Sequence, residues 1–290
     1  MPDDSDSDSP SPQPSPRRGE GVRAALVAAA GQLAGVSDTA RLDAELLMAH
    51  ALGVSRQDLL LRHLDDPEPA AFSALLERRL AHEPVAYIVG RRAFWTIELA
   101  VGPGALVPRA DSETLLEAAV AHFGARAPRR ILDLGTGPGT LLLAALDQWP
   151  DATGIGIDAS GDALAYARRN AAAFATRAEF RLGDWARGID ERFDLILANP
   201  PYIGTAELLP AEVREHEPAA ALFAGADGLV DYRRIVPDLS RLLAPGGIAV
   251  LEIGSTQAEA VSALVRKHGL SPAVIFDLKG HPRVVSALES

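Results

Sequence analysis

No cysteine occurs in the 290 residues. That absence removes disulfides, thiolate metal sites and any mechanism with a cysteine nucleophile. Basic residues are the minority: 28 Lys and Arg stand against 39 Asp and Glu, a formal net charge of −11. Such a balance argues against a protein that holds duplex nucleic acid mainly by neutralising phosphates. No run approaches the ~18 apolar residues of a membrane span. A Gly-x-Ser-x-Gly elbow and a Walker lysine are also missing. The seven histidines show no metal-ligand spacing, and His216, between Glu215 and Glu217, is expected on a solvated face. What remains is a chain with 48% hydrophobic residues, long enough for one large domain or two smaller ones.

Fourteen of the first sixteen residues are Pro, Asp or Ser. Residues 1–20 are therefore expected to be a disordered tail, with neither the apolar core of a signal peptide nor the composition of a transit peptide. Five carboxylates against two arginines give this tail −3, so the remaining body carries −8. A cytoplasmic protein is expected. From 21 to 84 the pattern is helical: Val22, Leu26, Ala29 and Leu33 recur at helical spacing, as do Leu42, Glu45–Leu46 and Ala49. Asp38 is a candidate N-cap and Gly53 a stop for the second helix. Aromatic and β-branched residues between Val85 and Val107 predict a β-hairpin linker over 85–108. From 109 onward seven strand-like segments alternate with helical ones. That order predicts an α/β domain over 109–290, a mostly parallel, Rossmann-like sheet covered on both faces.

The stretch Ile131-Leu132-Asp133-Leu134-Gly135-Thr136-Gly137-Pro138-Gly139 ends a strand and opens a helix. Its glycines let the backbone approach a ligand. Asp133, two residues before the first glycine, would repel a pyrophosphate. It would welcome positive charge, such as the ammonium and sulfonium of S-adenosylmethionine. At the next strand end, Asp158 can accept both ribose hydroxyls or cap the following helix. After the third strand, Asp184 can accept an exocyclic amine, and Trp185 can cover an adenine face or pack on the core.

The reaction motif is Asn199-Pro200-Pro201-Tyr202, directly after the apolar strand Phe193–Ala198. Two prolines hold the backbone stiff, and an asparagine before proline is pushed out of the helical region. The Asn199 side-chain carbonyl and the Pro200 main-chain carbonyl can then each accept a hydrogen from one planar NH2 group. Tyr202 offers it an aromatic face. This suits methylation of a weakly nucleophilic amide or aromatic nitrogen, because acceptors of developing positive charge stabilise the transition state more than the ground state. Asn199, Pro200 and Tyr202 are the candidate catalytic residues, with Pro201 completing the substrate-binding motif. The absence of cysteine excludes covalent cytosine-C5 methylation and leaves direct transfer to nitrogen.

These motifs resemble class I S-adenosylmethionine-dependent N-methyltransferases. Outside them, the narrower resemblance is to the PrmC/HemK family. It rests on Arg41-x-Asp43-Ala44-Glu45-Leu46-Leu47, Glu83-Pro84-Val85-Ala86-Tyr87-Ile88-x-Gly90, Phe94-Trp95, Val107-Pro108-Arg109-x-Asp111-x-Glu113 and Glu217-Pro218-x-x-Ala221-Leu222. The resemblance implies methylation of the side-chain amide of the glutamine in the Gly-Gly-Gln motif of class I peptide chain release factors. It implies cofactor contacts from Gly135, Thr136, Gly137, Pro138, Gly139, Asp158, Trp185 and Asn199, and amide contacts from Asn199, Pro200 and Tyr202. Pro138 stands where the family usually has Thr, Ala110 where it has Pro, and Ser112 where it has Thr. A release-factor partner, no metal, no direct nucleic acid, no membrane and a monomeric state are expected. Alternative acceptors are a ribosomal-protein glutamine or an adenine or guanine amine. A scaffold that only binds is disfavoured by the co-occurrence of Asp133, the glycines, Asp158 and Asn199.

Overall fold

In the computed structural model residues 21–289 are described, and the expectation for the tail over 1–20 lies outside them. Two compact units divide at Val89 and Gly90.

The first unit is helical. In α1 (Val22–Leu33) the four residues at helical spacing are all fully buried. In α2 (Ala40–Leu52) the buried stripe is Ala44, Leu47 and Met48, whereas Leu42 is exposed. Of the expected positions, Glu45 and Ala49 are buried, Leu46 is half-buried and Leu42 faces out. The inner face also carries two carboxylates, Asp43 beside the expected Glu45. Asp43 accepts from Arg79 Nε at 2.8 Å, and Glu45 accepts from Arg41 Nε at 2.7 Å and Arg56 Nε at 2.8 Å. Partners on that scale are what buried carboxylates require. Thr39, not Asp38, occupies the N-cap position, and Gly53 closes α2 in the left-handed region at φ +68°.

Next, α3 (Arg56–Arg62) is capped by Ser55, whose hydroxyl accepts from Asp58 N. It is followed by α4 (Phe72–Leu80) and α5 (Val85–Val89). The last of these corrects the linker boundary. Pro84 starts a helical turn, accepting from Tyr87 N at 2.9 Å and Ile88 N at 3.1 Å. Ile88 then packs with Leu47 and Leu59 in the helical core, so burial overrides the strand preference of this run.

The second unit opens with an antiparallel hairpin, β1 (Arg91–Phe94) and β2 (Ile97–Ala100). It is pinned to the rest of this unit through Asn170. That side chain accepts from Ala100 N at 2.8 Å, and its Nδ2 donates to both Ala100 O and Pro138 O. After α6 (Glu113–Phe123) come β3 (Arg130–Leu134), α7 (Thr140–Gln148), β4 (Thr153–Asp158), α8 (Gly161–Asn170), β5 (Ala178–Leu182) and β6 (Phe193–Ala198). Then follow α9 (Ala211–His216), α10 (Val230–Leu242), β7 (Leu243–Glu252), α11 (Ala258–Lys267), β8 (Leu270–Phe276) and β9 (Pro282–Glu289).

The sheet has seven strands in the order β5-β4-β3-β6-β7-β9-β8. β5, β4, β3, β6 and β7 pair in parallel, and β9 runs antiparallel to both its neighbours. Leu132, Leu134, Ile196, Ala198, Ala249 and Leu251 share one face with Tyr232, Ile235 and Leu239 of α10 and Val261 of α11. The alternate residues Ile131, Leu195, Leu197 and Val250 are also fully buried. Both faces are covered, which is why these strands read as continuous apolar runs. Chain order reverses about β3, since β4 lies on one side and β6 on the other. The carboxyl ends of strands at such a point are where ligands bind in open α/β sheets.

Candidate active site

A cavity of about 370 Å³ opens at those strand ends. It is lined by Gly135–Pro138 after β3, Asp158 at the end of β4, Gly183–Trp185 after β5, and Asn199 and Pro201 after β6. Four consecutive strand ends therefore converge.

The loop after β3 is shaped from below. Gly135 N and Thr136 N both donate to Ile157 O at 2.9 Å, which ties the turn to β4. Gly135 has φ +74°, and a Cβ there would lie 3.0 Å from Trp185 Cζ3, so both backbone and space require glycine. Thr136 Oγ1 donates to Asp133 Oδ2 at 2.6 Å, and Leu142 N donates to the same oxygen at 3.2 Å. Asp133 is 1% exposed and does not line the cavity. The expectation that it meets the ligand directly is corrected: strand alternation turns it into the sheet–helix layer, where it braces the loop. Burial pushes its carboxyl up to about 7, against the pull of the Thr136 and Leu142 bonds, and Oδ1 has no partner among the described residues.

Asp158 lines the cavity and also holds the loop. Its Oδ2 accepts from Gly137 N and its Oδ1 from Ser160 N, both at 2.8 Å. The cap of α8 is Ser160, whose hydroxyl accepts from Ala163 N. Asp158 is thus not that helix's cap, and lone pairs remain on both oxygens for a ligand's hydroxyls. Pro138 lines the cavity without an N–H to offer, and its carbonyl is engaged by Asn170.

Trp185 both lines the cavity and packs on the core. Its ring touches the loop at Gly135. It has φ +49°, uncommon for a bulky residue, and its Nε1 donates to Asp231 Oδ1 at 3.2 Å. Asp184 is paired with Arg234, so its carboxylate is already engaged when a ligand amine would approach. Asp231 and Arg234, from α10, lay too far along the chain and in too ordinary a helical pattern to be singled out.

Asn199 lines the cavity, and its Nδ2 donates to Ser112 Oγ at 3.2 Å. That bond directs the amide nitrogen away from the cavity's acceptor role and leaves Oδ1 for it. Pro200 is buried, and neither Pro200 nor Tyr202 lines this cavity, in contrast to Pro201. The Tyr202 hydroxyl donates to Glu252 Oε1 at 3.5 Å, and burial together with that carboxylate raises the phenol to about 12. Glu217, the residue after His216, is buried. Its carboxylate accepts from Val107 N at 3.1 Å and pairs with Arg109. Among the described residues no group of three or more His, Cys, Asp or Glu side chains could hold a metal ion.

The charged residues lining the cavity are Asp158, Asp184 and Asp231 against Arg109 and Arg234. Both guanidiniums are bound by carboxylates, so the cavity favours a cationic ligand. A glycine cradle, a hydroxyl acceptor on the next strand, an aromatic wall and a net acidic lining fit S-adenosylmethionine. Fold and site together define a class I methyltransferase.

Comparison with known proteins narrows this. Residues 24–90 match the PrmC N-terminal domain and residues 127–274 a methyltransferase domain. The release factor glutamine methyltransferase of Caulobacter vibrioides is 42% identical over 262 residues, spanning 87% of this chain and 91% of the relative. That of Cereibacter sphaeroides is 46% identical over 263 residues, 88% of this chain and 92% of the relative. A solved methyltransferase from Pyrococcus furiosus shares the fold at 17% identity and a TM-score of 0.53, covering 75% of this chain and 99% of its own. The chain belongs to the release factor glutamine methyltransferase family.

Proposed function

We propose that this protein transfers a methyl group from S-adenosylmethionine to the side-chain amide nitrogen of the glutamine in the Gly-Gly-Gln motif of class I peptide chain release factors. The observation that carries this reading is Asn199, fixed at the cavity wall with its nitrogen bound to Ser112 and its Oδ1 left as an acceptor. When bound, S-adenosylmethionine supplies an electrophilic methyl group on a sulfonium. Gly135–Gly139 cradle it, Asp158 accepts its ribose hydroxyls, and Trp185 covers its base. Asp133 contributes negative charge from beneath the loop rather than a direct contact.

Asn199 Oδ1 and the Pro200 carbonyl accept the two hydrogens of the glutamine NH2. That places the nitrogen for in-line attack and favours the positive charge it develops. Tyr202 and Pro201 bound the place the planar amide takes. The new N–C bond would form as the C–S bond breaks, the thioether keeping that electron pair, and the acidic N-methylated amide would then give its proton to water, so no strong base is required. The helical unit, which ends at Val89, grips the protein substrate. A cytoplasmic monomer without direct nucleic-acid contact fits the acidic body, and among the described residues no helix is long and apolar enough to cross a membrane.

The test is incubation with labelled S-adenosylmethionine and purified release factor, read by mass spectrometry. Label on the Gly-Gly-Gln glutamine is expected. Label on a ribosomal protein or on RNA, with none on that glutamine, would sink the assignment.

A further inference from the structure

Two adjacent residues after β5 are each held by α10. Trp185 Nε1 donates to Asp231 Oδ1 at 3.2 Å, and Asp184 pairs with Arg234, one turn further along that helix. The helix is itself fixed: Tyr232, beside Asp231, is fully buried, and its hydroxyl donates to Glu252 O at 2.6 Å. This clamp keeps Trp185 at φ +49°, a conformation that a bulky residue holds only with support from its surroundings. All four clamped residues line the cavity.

The clamp also sorts the two carboxylates. Asp184 has a side chain 52% exposed, and its charge is met by Arg234. The Asp231 side chain is only 13% exposed. Its Oδ1 takes the indole hydrogen, with Arg234 Nη1 3.6 Å from the same oxygen and beyond hydrogen-bonding distance. Among the described residues no hydrogen bond reaches Oδ2. An enclosed cavity wall thus carries an acceptor that the protein itself leaves open.

We propose that Asp231 recognises the adenine of the cofactor, its Oδ2 accepting from the exocyclic amine of a base that lies against Trp185. A base stacked on the indole presents its edge to the carboxylate that holds the indole N–H. The amine lies at the end of adenine remote from the ribose. With the ribose at Asp158, the side-chain acceptors beside Trp185 are Asp184 and Asp231. An exposed carboxylate replaces a lost partner with water, whereas an enclosed one is left unpaired, so Asp231 is the one that discriminates. A carboxylate only accepts, and therefore admits a 6-amino purine and repels a 6-oxo purine.

This rests on Trp185 covering the base. The test is calorimetry of the full chain with S-adenosylhomocysteine and with S-inosylhomocysteine, in which a 6-oxo group replaces the amine. Wild type should bind the inosyl compound roughly 10- to 100-fold more weakly. In Asp231→Asn, Oδ1 stays on Trp185 Nε1 and Nδ2 stands where Oδ2 was, a donor in place of an acceptor. The ratio should then fall by about tenfold or more, or invert. Equal weakening of both compounds, with the ratio kept, would mean that Asp231 acts only on the ligand's ammonium and would overturn the proposal. So would equal binding of both by wild type, a result that needs no variant to fold. Collapse of the ratio in Asp184→Asn and not in Asp231→Asn would also overturn it. Trp185→Ala separates this inference from the reading beneath it. If that variant keeps full affinity for S-adenosylhomocysteine, the base does not lie on Trp185 and both fail. If affinity falls while Asp231→Asn keeps the ratio, only the role of Asp231 fails. A collapsed ratio with release factor left unmethylated removes the methyl-acceptor assignment and leaves the role of Asp231 standing.

Discussion

Thr136 and Asp133, three residues apart in the glycine loop and its strand, are joined by a 2.6 Å hydrogen bond inside the protein. The loop is therefore held in shape by a carboxylate that does not line the cavity. Asp133 carries a pKa near 7, raised by burial above its unfolded value of about 3.8. Between those values the folded state binds one proton more than the unfolded state. This residue's contribution to stability therefore falls as pH rises from about 4 to about 7, and is flat outside that window. Asp133→Asn should remove that slope and raise the melting temperature at pH 8 by a few degrees. It should also weaken S-adenosylmethionine binding in calorimetry, because the cation loses a nearby negative charge. A variant with wild-type affinity at pH 8 would show that Asp133 is only a brace.

Asn199→Ala should retain cofactor affinity within a few-fold and lose turnover by roughly 10²–10³, the usual cost of removing one preorganised transition-state partner. Near-normal kcat in this variant would remove Asn199 from the reaction.

Gly135→Ala should fail at cofactor binding before it fails at folding. The added methyl meets the Trp185 ring at 3.0 Å in a backbone conformation that side chains rarely adopt. A loss of tenfold or more in affinity is expected, with a stability cost of about 1–3 kcal/mol. Trp185→Ala removes the ring from the cavity and from the core it packs on, so it should weaken binding at a stability cost of its own; added to Gly135→Ala it should relieve the clash but not the backbone strain. Comparing the two by calorimetry and denaturant titration separates strain from the lost aromatic wall.

Asp43→Ala should destabilise the helical unit by about 1–3 kcal/mol, since it removes the buried acceptor of Arg79 Nε. Limited proteolysis should then cleave within 21–89 before the second unit. Equal protection of both units would show that Arg79 is satisfied without Asp43.

The alternation of strands and helices after residue 109, the glycine loop and the Asn-Pro-Pro-Tyr motif are local patterns. Each is fixed by hydrophobic period, by glycine freedom or by proline stiffness, and each was readable residue by residue. So was the first helix, whose apolar spacing is undisturbed by buried charge. In the second helix Glu45 and Ala49 lie inward as their spacing suggests while Leu42 faces out, and only arginine partners make the burial of Asp43 and Glu45 tolerable. Val85–Val89 was misread because strand preference is weaker than the packing of Ile88 into a helical core. Tertiary structure alone decided that Asp133 lies under the loop, that Asp231 and Arg234 reach the cavity, and that Ser112 meets Asn199 across 87 residues of chain. Sequence determines which chemical groups stand at the strand ends. Which of them face the ligand, and which brace the others, depends on contacts between distant segments that no local pattern encodes.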